Sequence, residues 1–213
     1  MTKCYKFQAA QEQQYIINQV SKMLPINLLK NINCYLFGSS LLACYDRSFF
    51  PHDYDIAVLD NEGFEKLYNF LLSKPDRYLL KFRTGSLCSF FDKNNNNMEI
   101  QLAKPPCNTV EELLENVDFT VVKIAYSFIG EYFIVDQQFI EHVKTKTLKY
   151  TGGNVGNPVN SLLRLRKYIP RGYNIDDSEL LKIAKEIINP TSSNYQENRL
   201  FMKLQNRIYG DSI

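Results

Sequence analysis

Two aspartates, Asp53 and Asp55, stand one residue apart at the start of an apolar run that ends at Val58. If this run is a strand, its side chains alternate between faces, so the two carboxylates share one face while Tyr54 and Ile56 enter the core. Their Cα atoms would lie about 7 Å apart. Carboxylates in this arrangement can bind the divalent ions that promote displacement at phosphorus. The alternative is a pair of solvated acids on an exposed strand.

A glycine turn precedes this pair of acids. The β-prone run from Asn33 to Phe37 stops at Gly38, where an unusual backbone conformation is least costly, and Ser39 and Ser40 follow. The two serines are predicted to cap a helix, whose free backbone N–H groups would attract phosphate. The order of elements is therefore a strand, a phosphate-binding turn, a helix and a second strand that carries two acids.

A third acid, Glu99, lies on a later run in which apolar and polar residues alternate. It is predicted to face away from the core, as the first two acids do. The run is the last of three strands predicted in residues 78–103, with the asparagines at 94–97 forming the tip of a hairpin. An ordinary exposed glutamate on a half-buried strand would give the same pattern.

The Gly-Ser turn, the helix and the Asp-x-Asp strand together resemble the nucleotidyltransferase superfamily of the polymerase β type. The stretch that ends at Glu99 is similar to the corresponding part of tRNA nucleotidyltransferases and bacterial poly(A) polymerases. This resemblance implies a site for Mg²⁺ or Mn²⁺ formed by Asp53, Asp55 and Glu99. It also implies that Gly38, Ser39 and the adjoining Ser40 hold the triphosphate of an NTP.

The run from Asp118 to Tyr126 resembles a family stretch in which an Asp-Phe-Thr sequence precedes an apolar segment that ends in Ala-Tyr. The resemblance implies that Asp118 takes part in nucleotide binding. Val117 and Val122 stand where family members usually carry Arg and Asn. A buried amphipathic segment that merely begins with Asp118 is the alternative.

A helix predicted to start at Asn157 resembles the family's neck helix, which normally begins with Asp-Pro and carries several arginines. Here Asn157 and Asn160 replace the Asp and one Arg. The cations Arg164, Arg166 and Lys167 are predicted to bind a triphosphate or an RNA backbone. The alternative is a basic, solvated helix face.

The predicted fold class is α/β (α+β), a polymerase β-like mixed sheet flanked by helices. The predicted division is a catalytic domain at 1–152 and a helical, neck-like C-terminal lobe at 153–213, separated by the glycine-rich stretch 151–158. Helices are predicted at 8–23, 109–115 and 179–188, with another at 194–209, and only helices are expected after Tyr150.

Composition excludes several classes of protein. The chain has 213 residues, of which 45% are hydrophobic and 23% charged, which is enough for one sizeable domain with an appendage. A net charge of +2 is too small to indicate nucleic-acid binding by itself. The five cysteines contain no C-x-x-C pair, which favours reduced thiols and implies no zinc site. No apolar run is long enough to cross a membrane, so a cytoplasmic protein is expected.

The resemblance implies transfer of a nucleoside monophosphate from an NTP to an acceptor hydroxyl, with release of pyrophosphate. An RNA end similar to the 3′ end of tRNA is the expected acceptor, with a small molecule or a protein hydroxyl as the second choice. A protein of a different class stays open as well. The four replacements at Val117, Val122, Asn157 and Asn160 would suit a catalytically inactive nucleotide-binding or antitoxin-like module.

Overall fold

The structure is a computed structural model that describes residues 3–8, 13–152 and 158–188. Its main element is a mixed sheet of eight strands, which are β1 (Cys4–Gln8), β2 (Cys34–Phe37), β3 (Asp53–Val58), β4 (Tyr78–Arg83), β5 (Leu87–Asp92), β6 (Met98–Ala103), β7 (Ile124–Ser127) and β8 (Tyr132–Asp136). They lie in the order β1-β8-β7-β2-β3-β6-β5-β4. Among the strand pairs of this sheet in the described residues, β3–β6 is parallel and all the others are antiparallel.

Helices flank the sheet and line its ends. They are α1 (Gln14–Met23), α2 (Ile26–Leu29), α3 (Ser39–Leu42), α4 (Asn61–Leu72), α5 (Val110–Glu115), α6 (Phe139–Lys144), α7 (Pro158–Tyr168) and α8 (Asp177–Ile188). Short 3₁₀ turns occupy Thr120–Val122 and Ile169–Arg171, and a small parallel pair joins β9 (Thr147–Leu148) to β10 (Asn174–Ile175). The predicted fold class, a mixed sheet flanked by helices, is confirmed. Within the described ranges, no helix has the length and apolarity needed to span a membrane.

The two faces of β3 have different roles. Tyr54, Ile56 and Val58 are buried in the main core, against α1 and α4. Asp53, Asp55 and Ala57 point to the opposite face, because side chains alternate along a strand. Ala57 belongs to a second, smaller apolar cluster beneath α5. The acids therefore emerge on the face that α5 covers only in part, which leaves a cleft beside them.

Two predictions of secondary structure differ from the structure. Residues 4–8 form β1, which pairs with β8, and α1 begins at Gln14 rather than at residue 8. The segment after Tyr150 is not purely helical, because β10 pairs with β9. The helix predicted at 194–209 lies outside the described residues, and so does most of the glycine-rich stretch 151–158. The predicted domain boundary, between residues 152 and 153, falls where the described residues stop. The two-domain division therefore stays a prediction.

Asp46 ties the C-terminal segment to the loop before β3. Its carboxylate accepts hydrogen bonds from Lys146, from Tyr173 Oη at 2.9 Å and from Ser48 Oγ at 2.7 Å. Burial alone would raise the pKa of Asp46, but these hydrogen bonds outweigh it and leave the pKa below its ordinary value. Arg171 adds a contact through Nε to the Ser48 carbonyl at 3.3 Å. These contacts fix the position of α7 against the sheet.

Candidate active site

The parallel pairing of β3 with β6 places four polar side chains on one face. Asp53 pairs in register with Glu99, and Asp55 pairs with Gln101. Neighbouring strands lie about 4.8 Å apart, so these side chains are immediate neighbours. The Gln101 amide Nε2 donates to Glu99 Oε1 at 3.3 Å and lies 3.5 Å from Asp53 Oδ2. The three predicted acids thus lie near the N-terminal ends of two adjacent strands in the interior of the sheet.

The Asp55 carboxyl is destabilised in its charged form. Burial raises the pKa of Asp55 to about 7, and the neighbouring Asp53 carboxylate adds to the increase, while Lys167 and Arg164 partly oppose it. Two crowded carboxylates with an incomplete counter-charge are a suitable donor set for a hard divalent cation, which prefers oxygen ligands. The residues present therefore fit Mg²⁺ or Mn²⁺ at the pair Asp53 and Asp55.

Glu99 is engaged elsewhere. Its Oε2 forms an ion pair with Lys81 Nζ at 2.9 Å, and its Oε1 accepts a hydrogen bond from Ser89 Oγ. It does not line the cleft beside the aspartates. In the described part of the chain, no three Asp, Glu, His or Cys side chains are grouped so that they could hold a metal ion together. A role for Glu99 as the third ligand stays a prediction.

The glycine turn lies directly beside the acids. Gly38 has φ 79° and ψ −151°, a conformation that side chains disfavour, and a Cβ placed there would lie 3.4 Å from Asp55 Oδ2. Gly38 itself is the N-cap of α3, without a side-chain cap, so the prediction that the serines cap this helix was wrong. Ser39 Oγ accepts a hydrogen bond from Lys167 Nζ at 2.6 Å. Ser40 is buried, and its hydroxyl has no hydrogen-bond partner among the described residues.

Helix α7 forms the opposite wall of the cleft. Lys167 reaches Ser39, and one turn earlier Arg164 Nη1 donates to Asp118 Oδ2 at 2.6 Å. Tyr168 is buried and anchors the helix, with its ring 5.8 Å from those of Phe119 and Tyr173. Burial lowers the pKa of Lys167, although the attraction of Asp53 and Asp55 opposes this effect. Arg166 is exposed and faces away from the cleft lining.

Two connected spaces result from this arrangement. The cleft has a volume of about 340 Å³ and is lined by Phe37, Gly38, Ser39, Asp53, Asp55, Gln101, Asn116, Val117, Asp118, Val122, Arg164, Lys167 and Tyr168. An open outer groove of about 640 Å³ is lined by His52, Asp53, Asn160, Leu163, Arg164, Arg166, Lys167 and Arg171. The two spaces share Asp53, Arg164 and Lys167, so a ligand in the groove adjoins the acid pair.

Sequence reasoning missed three residues of this region. Gln101 was visible in the alternation that placed Glu99, since it lies two residues further along the same face. Lys81, the partner of Glu99, gave no signal because the contact crosses from β4 to β6. Asn116 lines the cleft from the end of α5, next to the predicted residues Val117 and Asp118.

Comparison with known proteins identifies the family. A sequence model described as "Gabija anti-defense 2 family protein" matches residues 10–146, which is more than half of the chain. The chain belongs to the Gabija anti-defense 2 family. A curated relative from Bacillus phage SPbetaL7, named "Gabija anti-defense 2", is 31% identical over 87 residues, which cover 41% of this chain and 22% of that protein. The match thus spans less than a quarter of the phage protein.

Solved structures show where the fold of this Gabija anti-defense 2 family member is also found. A CCA-adding enzyme in its apo form matches with a TM-score of 0.64 and 17% identity, over 91% of this chain and 47% of that one. The Thermotoga maritima CCA-adding enzyme complexed with tRNA matches at 0.62 and 17% identity, over 86% and 46%. A CCA-adding enzyme with ATP matches at 0.63 and 17% identity, over 96% and 51%. The chain shares their fold and spans about half of their length.

One substitution decides whether Glu99 belongs to the site in this Gabija anti-defense 2 family member. We expect Glu99→Gln to weaken Mg²⁺ binding by about 10-fold, as loss of a metal ligand or its close support does. Isothermal titration with Mg²⁺ measures the affinity. Glu65→Gln is the matched control, because Glu65 forms a similar ion pair with Arg83 away from the cleft. Unchanged affinity in Glu99→Gln would show that Glu99 is not a metal ligand.

Proposed function

We propose that this chain is a metal-dependent nucleotidyltransferase that moves a nucleoside monophosphate from an NTP to an acceptor hydroxyl. The observation that carries the proposal is one cleft in which Asp53 and Asp55 face Lys167, with the Gly38 turn between them. Anions and cations that converge on a glycine turn suit a bound metal–triphosphate complex. In the reaction the acceptor hydroxyl loses its proton to solvent and its oxygen bonds to the α-phosphorus, the bond from that phosphorus to the bridging oxygen of the β-phosphate breaks, and pyrophosphate leaves.

Asp53 and Asp55, with Glu99 as the predicted third ligand, would hold Mg²⁺ or Mn²⁺. A bound ion of this kind stabilises charge at phosphorus and lowers the pKa of an attacking hydroxyl. The other roles belong to side chains of this chain. Lys167 would bind the phosphates that Ser39 and the Gly38 backbone contact. Asp118 would position Arg164 through their ion pair, so that the guanidinium stays in the cleft wall.

An RNA end is the acceptor that we favour, and the outer groove supports this choice. Arg164, Arg166, Lys167 and Arg171 line the groove, and their charges suit a phosphate backbone. The groove meets the cleft at Asp53, where an acceptor hydroxyl would have to arrive. Membership of the Gabija anti-defense 2 family leads us to propose that the transfer reaction acts against a Gabija defence system. A protein hydroxyl in that system is the second candidate acceptor.

Replacing Arg166 tests the groove. We expect Arg166→Gln to weaken binding of a single-stranded oligoribonucleotide and to reduce the slope of log affinity against log salt by about one. Arg166 is suitable because it is exposed, whereas Arg164 pairs with the buried Asp118. Fluorescence anisotropy at several salt concentrations gives both quantities.

Lys144→Gln is the control for that experiment, because Lys144 is an exposed cation on α6 that does not line the groove. Equal RNA affinity and equal salt dependence in the Arg166 and Lys144 variants would show that RNA does not bind in the groove. The acceptor is then identified by offering α-labelled NTP together with protein, RNA and metabolite fractions. Incorporation of the label only into the protein or metabolite fraction would mean that the acceptor is a protein hydroxyl or a small molecule rather than RNA.

A second function is favoured by one specific observation, the engagement of Glu99 with Lys81 and Ser89 away from the cleft. A nucleotide-binding module without catalysis would need only the turn, Lys167 and the two aspartates. The uncharged Val117 and Val122 in the cleft wall also suit such a module. The two functions differ in one measurable outcome, because the module would bind metal and NTP but release no pyrophosphate in the presence of any acceptor.

A further inference from the structure

The cleft wall at the end of α5 carries a polar side chain whose hydrogen-bonding capacity is unused. Asn116 is half-buried and lines the cleft, and the structure gives its side-chain amide no hydrogen bond within the described residues. Its backbone N–H donates to Glu112 and Leu113, so the backbone, rather than the amide, completes the end of α5. A half-buried amide loses hydration, and a ligand that pairs with it would compensate for that loss.

The order of residues along the cleft separates Asn116 from the phosphate-binding end. Lys167 contacts Ser39 at one end, and Arg164, three residues earlier on α7, contacts Asp118. Three residues correspond to about 4.5 Å along a helix axis. Asn116 precedes Asp118 by two residues and lies with Val117 in the same wall. A triphosphate at Ser39 and Lys167 would therefore direct the rest of the nucleotide toward Asn116.

The surroundings of Asn116 suit a nucleobase better than a phosphate. Val117, the next residue along the chain, lines the same cleft and offers apolar contact to a flat ring. Arg164, a cation in the same cleft lining, is already paired with Asp118. An asparagine amide presents one donor and one acceptor side by side, and adenine offers the complementary pair in its N6 amino group and N7.

We propose that Asn116 reads the base of the incoming nucleotide and selects adenine, so that ATP is the preferred substrate. This inference rests on the proposed function, since it assumes that the triphosphate binds at Ser39 and Lys167. It assigns Asn116 a role in substrate choice and no role in the transfer step. A purely structural asparagine at this position would leave the relative affinities for different nucleotides unchanged when it is replaced.

The test compares ATP, GTP and inorganic tripolyphosphate by isothermal titration in Mg²⁺. The wild type is expected to bind ATP about 10-fold more tightly than GTP, as one bidentate amide–base contact allows. Asn116→Leu is expected to bring the two affinities within about 2-fold of each other while tripolyphosphate binding stays unchanged. Leucine fits the backbone here, because Asn116 has φ −88° and ψ −3°. Asn69→Leu, at an exposed site on α4, is the matched control.

The outcomes separate this inference from the proposed function. Asn116→Asp retains an acceptor for the amino group and loses the donor, so it is expected to show a reduced preference for ATP and serves as a second variant if the leucine variant does not fold. Equal affinity of the wild type for ATP and GTP, or an ATP preference that both variants retain in full, would overturn the base-reading role alone. Absence of metal-dependent binding of tripolyphosphate and of both nucleotides would overturn the proposed function together with this inference.

Discussion

Asp53→Asn/Asp55→Asn is expected to abolish nucleotidyl transfer while the chain remains folded. Asparagine keeps the shape of each side chain but cannot neutralise a divalent ion. Metal-ion catalysis contributes several kcal/mol of transition-state stabilisation, so the expected loss of rate is on the order of 10³-fold or more. The fold should tolerate the change, since burial and mutual repulsion already disfavour the charged form of Asp55 and raise its pKa.

Thermal unfolding with and without ligands checks this expectation. Mg²⁺ with NTP should raise the Tm of the wild type, because a ligand that binds the folded state stabilises it, and should leave the double variant unchanged. Asp76→Asn is the control, as Asp76 is an exposed acid in the loop before β4. A double variant that is still stabilised by the metal–nucleotide complex, and that still releases pyrophosphate, would show that the aspartates do not form the metal site.

Lys167→Met is expected to have opposite effects on metal and on triphosphate. Lys167 now supplies part of the counter-charge for Asp53 and Asp55, and its attraction opposes the rise in the pKa of Asp55. Removing this cation should make the acid pair a stronger site for Mg²⁺ alone. The same change removes a cation from the part of the cleft where we propose that the triphosphate binds, so NTP affinity should fall by about 10- to 100-fold, as the loss of a charge-assisted contact predicts.

Separate titrations of Mg²⁺ and of NTP, the latter in saturating Mg²⁺, measure these two effects. Lys167→Arg should preserve NTP binding, and Lys185→Met, at an exposed position on α8, should change neither affinity. A fall of both affinities in Lys167→Met would point to a general disturbance of α7. An unchanged NTP affinity would mean that Lys167 does not bind the phosphates and that the triphosphate lies elsewhere.

Local patterns in the sequence predicted the central elements well. Alternation in residues 53–58 placed Asp53 and Asp55 on one face, and the side chains expected in the core are buried there. The helix predicted at 109–115 is present as α5, and Thr109 is its N-cap, with Oγ1 accepting a hydrogen bond from the Glu112 backbone N–H at 3.2 Å. Both features depend on residues only a few positions apart, which is why the sequence alone could reveal them.

Contacts between distant segments could not be predicted in the same way. The register that aligns Asp53 with Glu99 depends on a parallel crossover through α4, and the contact between Lys167 and Ser39 joins residues 128 positions apart. Strand β1 was missed because five residues at the start of a chain give little periodicity, and their pairing with β8 decides the outcome. The contact of Glu99 with Lys81 likewise depends on the sheet, because it reaches from β6 across β5 to the edge strand β4.

The central claim, that this chain transfers a nucleotide, is tested most directly by following both products at once. Wild type and Asp53→Asn/Asp55→Asn are incubated with Mg²⁺, α-labelled ATP and RNA, alone and with the components of a Gabija system. Pyrophosphate release and labelled acceptor are then measured in the same reaction. We predict equal amounts of the two products with the wild type and neither product with the variant. Metal-dependent ATP binding by the wild type without pyrophosphate or labelled acceptor under any of these conditions would contradict the claim.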